Sequence, residues 1–210
     1  MGTHIWRLVA ALAVLCCIAS SSEAQTRMPP IPADKMTEAQ KKAAADFAAG
    51  RSDALDGPWL TFLRSPELME RTMGLSDYVR RKSVIEPRVS ELVILVVARE
   101  WTQQFEWTIH YKNALQAGLK PAIADTIAEG RRPEAMAEDE AIAYDVATEI
   151  LRTKGVSDTT WSRAVAKFGE QGTVDLLATV GYFNYLSVVM NAARTPAPSG
   201  SVEPLKRLPE

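Results

Sequence analysis

Thiol and imidazole are scarce in this chain, and the scarcity removes whole classes of chemistry. It has two cysteines, Cys16 and Cys17, and two histidines, His4 and His110. Both cysteines and His4 fall within residues 1–24, which read as a secretory signal peptide. Arg7 gives the positive start, Leu8 to Ile18 form an apolar block, and Ser22 and Ala24 bring small residues to a cleavage point before Gln25. The block is too short to span a bilayer as a helix. A lipidated cysteine fits poorly, because Leu15 or Cys16 stands where a small residue should precede it. The expectation is an exported protein, periplasmic or secreted, with no membrane contact after cleavage. Beyond residue 24 there is then no thiol and one imidazole. Structural disulfides drop out despite the oxidising compartment, and a zinc site of several His or Cys ligands fails by count. We expect no metal and no cofactor.

Charge of one sign is also missing. The net charge is −2, with acids and bases interleaved, so nothing marks a nucleic-acid or anionic-membrane surface. No internal repeat and no confident strand appears, and the length suits one domain with a sizeable core. The fold class expected is all-α.

Taken in order, residues 25–56 are a proline-rich leader followed by an alanine-rich helix over 36–50. Asp56-Gly57-Pro58 marks a turn, and Trp59 to Leu63 is a short apolar patch. Ser65-Pro66-Glu67 opens a helix that ends in Arg80-Arg81-Lys82, whose plain reading is a solvated helix end complementing the dipole. Later helices are expected at 120–130, at 138–154, from the Ser157-Asp158 cap to Phe168, and over 172–193. Asn184 and Asn191 are seven residues apart and share a face. The tail 196–210 carries four prolines and should be extended or frayed.

The chemistry gathers between Glu91 and Gly118, ELVILVVAREWTQQFEWTIHYKNALQAG. Leu92 to Ala98 is apolar all round, as in a core helix, with Pro87 suited to its first turn. A second helix restarts after Thr102 and carries Trp107, Tyr111, Ala114 and Leu115 on a stripe. The polar residues Glu91, Gln103, Glu106 and His110 stand out against this background. Glu91, on a face with Ile94, Leu95 and Ala98, suits a proton donor or base; its plain reading is a carboxylate near a helix start, paired with Arg88. Glu106, one turn before His110, can hydrogen-bond the imidazole, fix its tautomer and raise its pKa. A metal pair from Glu106 and His110 is a weak signal.

The stretches GPWLTFLRSPEL, PRVSELVILVVARE, QFEWTIHYKNALQAGL and VGYFNYLSVVMNA resemble the carboxymuconolactone decarboxylase family, which shares its fold with alkylhydroperoxidase D-like proteins. The resemblance covers about 57–200, with the domain placed at 57–195. It implies an all-helical bundle associating into trimers or hexamers. The apolar patch around Trp59 would be an edge that a monomer exposes. The peroxidase branch uses a glutamate, a Cys-x-x-Cys pair and a histidine; here these positions hold Glu91, Gln103, Glu106 and His110. The relay's outer members are kept and both redox atoms are gone. What the resemblance implies is therefore a decarboxylase-type protein acting on a small carboxylated lactone or enol. His110 would be the proton donor, with Glu91 and Glu106 beside it and Gln103, Trp107 and Asn184 lining the substrate site. A peroxidase-type protein lacking the thiols, or a non-catalytic oligomeric binder, stays open at this stage.

Thiolate attack is the first step of a thiol peroxidase cycle. Protein beginning at Gln25 should show no dithiol-dependent hydroperoxide turnover in a coupled assay.

Overall fold

The computed structural model describes residues 26–51, 54–198 and 203–206. The expected signal peptide, with Cys16, Cys17 and His4, lies outside them. Among the described residues there are eight α-helices, one short 3-10 turn and no strand. The helices are α1 (Glu38–Gly50), α2 (Pro58–Phe62), α3 (Pro66–Arg81), α4 (Pro87–Glu100), α5 (Gln104–Gln116), α6 (Pro121–Ala128), α7 (Glu138–Thr153) and α8 (Asp158–Ala193). The all-α expectation holds.

The start signals work as their chemistry requires. Proline occupies the first position of α2, α3, α4 and α6, where its missing N–H costs nothing. Thr37 and Gln40 form a reciprocal capping box on α1. Ser157 caps α8 through Thr160 N. The two helices expected at the C-terminal end of the chain are both present within α8, separated by a kink at Gly169 (φ 70°, ψ 176°), where the backbone leaves the helical region. By length and composition α8 could cross a membrane, but half of its most apolar window is buried in the bundle.

Helix α4 is the axis of the fold. It packs against α5, α6, α7 and α8, and every residue from Leu92 to Arg99 is buried. A helix without a polar face cannot sit at a surface, so the sequence of α4 dictates that the others wrap it. Arg88 at its start binds Asp139 (2.7 Å) and also Glu140, tying α4 to α7. Arg88 is thus committed away from Glu91.

Two expectations about the edges are corrected. The patch at Trp59 is not an exposed edge: Trp59 and Phe62 are buried, at 8% and 3% exposure. Arg51 lies over the Trp59 ring (4.9 Å) and the Phe47 ring (5.5 Å) while binding Asp77, so a cation seals the seam between α1, α2 and α3. The tail is not wholly frayed either. The Gln104 side chain donates to Leu205 O (2.8 Å) and accepts from Leu205 N (3.0 Å), and Leu205 is buried.

Gly57 sets the turn into α2 with φ 52° and ψ −130°, a region nearly restricted to glycine. A Cβ there would stand 2.5 Å from the Phe105 ring. Gly57→Ala should therefore cost about 2–4 kcal/mol, from strain and overpacking together. Gly50→Ala, with open space around it, should be near neutral in the same thermal melts.

Candidate active site

The link Trp101–Gln103 reverses the chain so that α5 runs back along α4. Gln103 makes this turn rigid. Its side-chain oxygen accepts from Phe105 N and Glu106 N, and its amide donates to Asn191 Oδ1 (2.9 Å). Counting away from the link, Glu91 lies nine residues before the end of α4 and His110 six after the start of α5. At about 1.5 Å rise per residue they reach comparable heights on facing helices.

There they meet. His110 Nδ1 lies 2.5 Å from Glu91 Oε2, and His110 Nε2 lies 3.1 Å from Glu106 Oε2. The His110 and Glu106 side chains are 4% and 5% exposed, and Glu91 is 14% exposed. The imidazole also packs edge-on against Phe183, with centroids 5.0 Å apart. Burial alone would push the His110 pKa down. The Glu91 charge, the hydrogen bonds to Glu106 and Glu91, and the Glu106 charge outweigh it and raise the pKa to about 9. At neutral pH the ring is an imidazolium donating from both nitrogens. A ring in that state has no lone pair for a metal, and among the described residues no group of three or more candidate ligands forms a metal site.

The three groups do not face the same way. Glu106 and His110 line a cavity of about 360 Å³, whose other walls include Trp59, Phe105, Tyr182 and Phe183, with exposed Arg80 also on its lining. Glu91 is absent from that lining and stands behind the ring. Of the remaining expected site residues, none joins the cavity. Gln103 is spent on the helix cap. Asn184 accepts from Trp101 Nε1 (2.6 Å), and Asn191 donates to Trp101 O (2.9 Å), so the shared asparagine face grips the α4–α5 link. Trp107 is buried and lines a different hollow of about 730 Å³, together with Tyr111, Asp125 and the tail residues Glu203 to Lys206.

Sequence reasoning passed over Arg80, Ser76, Asn113, Tyr182 and Phe183, which line the cavity. Tyr182 had a signal, since it lies in the same VGYFNYL stretch as Asn184. Two residues apart on a helix is roughly 200° of rotation, so the two side chains point to opposite sides. Asp175 was missed as well: buried, it accepts from Tyr78 Oη (3.0 Å) and Val84 N (3.0 Å), pinning the α3–α4 loop onto α8.

Residues 66–159, the segment that contains Glu91, Glu106 and His110, match the model of the carboxymuconolactone decarboxylase family. Among solved structures it is similar to a crystal structure from Agrobacterium tumefaciens, described as a protein of unknown function and a candidate antioxidant defence protein AhpD. The two share 17% identity at a TM-score of 0.58, over 66% of this chain and 95% of that one. That likeness shows the shared all-helical fold. No curated protein matches.

A histidine whose pKa is raised on folding stabilises fully below its unfolded value and loses that contribution as pH rises through the folded one. Between pH 6.5 and about 9, urea denaturation should show the His110 contribution disappearing. His110→Gln should flatten the stability profile across that window.

Proposed function

We propose that the protein catalyses cofactor-free decarboxylation or isomerisation of a small carboxylated lactone or enol. The observation that carries this reading is a buried carboxylate–imidazolium–carboxylate array with one carboxylate facing a ligand-sized cavity. Both His110 N–H groups are committed, so the ring acts through Glu106 and not directly on the substrate.

Loss of carbon dioxide leaves an electron pair that an adjacent carbonyl takes up as an enolate. Protonation at carbon then consumes one proton. Glu106 first takes up the Nε2 proton of His110 and then passes it to that carbon, and solvent restores the charged ring. Glu91 holds the imidazole in place and stabilises its charge. In isomerisation the same carboxylate takes a proton from one carbon and returns it at another, with no net change. The family match over residues 66–159 supports this class of chemistry without fixing the substrate.

We also propose export, as the leader implies, and self-association as a trimer or hexamer. The apolar surface offered for contact is Leu68, Leu75 and Tyr78, exposed on one side of α3.

A panel of small carboxylated lactones and enols, followed by proton NMR, tests the activity. On any substrate turned over, Glu106→Gln and His110→Gln should each lose roughly 10²–10⁴-fold in rate while melting as folded proteins. Turnover at the unsubstituted rate by folded Glu106→Gln would refute the relay.

A further inference from the structure

The cavity holds a hydroxyl that the proton relay does not use. Tyr182 is 3% exposed, lies on the cavity lining, and its Oη is buried without a hydrogen-bond partner. Ser76 stands beside it without completing a bond. An orphan hydroxyl in the core is costly where no water replaces the partner. A phenylalanine would fill the same space more cheaply. Arg80 is the second unexplained group. In the basic run that ends α3, Arg81 binds Asp77 (3.2 Å), and Arg51 takes the same carboxylate (2.7 Å). Arg80 makes no ion pair among the described residues, is exposed, and lines the cavity.

We propose that Tyr182 and Arg80 are the ligand-binding pair of this cavity: Arg80 receives a carboxylate, and Tyr182 donates its O–H to a second, carbonyl or enol, oxygen of the same small anion. Two features make this more than a polar lining. Charge is one, because only a separate cation such as Arg80 could draw an anion past the Asp56 and Glu106 carboxylates on the lining. The volume is right as well, since about 360 Å³ suits a molecule of modest size. Burial also keeps the phenol protonated far above neutrality, so its O–H stays available to donate. A donor fixed on the oxygen where charge develops is the arrangement that stabilises an enolate. The inference rests on the proposed reaction for its chemical meaning, but it concerns binding and is tested without turnover.

Glutarate and 2-oxoglutarate serve as probes, since they differ only in a keto oxygen. Titration of the full chain by isothermal calorimetry should show 2-oxoglutarate bound more tightly. Tyr182→Phe should reduce that preference by about tenfold, as expected for a lost hydrogen bond from a buried donor. Glutarate affinity should not change in Tyr182→Phe, whereas Arg80→Gln should weaken both anions alike. The melt separates this from a structural role: removing an unpartnered hydroxyl should leave the Tm equal or higher. A Tyr182→Phe protein that melts several degrees lower, or keeps the keto preference, overturns the assignment. So does an unsubstituted protein that binds neither anion at millimolar concentration. If the preference behaves as expected while Glu106→Gln leaves catalysis intact, the binding pair stands and the relay falls.

Discussion

Three charges buried in a helical core are the constraint around which this molecule is arranged. Removing each ion from water costs several kcal/mol even after relaxation, and a favourable pair repays it only with good geometry. Here the geometry is supplied twice over. Glu91 and Glu106 flank one imidazolium at hydrogen-bonding distance, and Glu106 stands in the first turn of α5, where the N-terminal dipole favours negative charge. Gln103 adds to this by fixing the backbone N–H of Glu106. Loss of His110 would leave two buried carboxylates without their counter-charge, so the imidazolium ties α4 to α5 through Glu91.

The cavity exists because elements far apart in sequence close around one carboxylate of that array. Helices α2, α3, α5 and α8 each give it a wall. Phe105 can stand there only because residue 57 has no side chain to meet it. Trp59 is held in place by the buried Arg51 guanidinium, which is neutralised by Asp77. Asp175 then locks the α3–α4 loop to α8, which brings Arg80 and Tyr182 to the same space. Stability and site geometry therefore depend on the same few contacts.

How far the sequence disclosed this follows from range. Helix α4 was legible because seven consecutive apolar residues allow few alternatives, and proline marked four helix starts. The Glu106–His110 contact was legible because one helical turn fixes it. The Glu91 contact required knowing that the link at 101–103 folds α5 back on α4, and there the resemblance supplied what spacing could not. Gln103 and Asn184 drew attention for polarity, yet polar groups beside a tight link are drawn into capping it. Tyr182 and Arg80 were invisible for the opposite reason. An aromatic residue in an apolar helix and an arginine in a basic run look ordinary until a cavity is seen between them.

Position 106 is where the chemistry of this chain departs from that of the thiol branch it resembles. A cysteine there would supply a nucleophile able to change oxidation state; a carboxylate cannot, and can only hold charge and move protons. The imidazolium behind it changes meaning accordingly. Beside a thiol it would favour the thiolate. Beside Glu106 it keeps a proton within 3.1 Å of the carboxylate of the array that meets the cavity, with Glu91 on its far side holding the ring charged. Three ionisable groups in a core are costly where apolar residues of similar volume would satisfy packing alone, and that cost supports the proposed proton relay. The retained array, more than the fold, is what argues for acid–base chemistry.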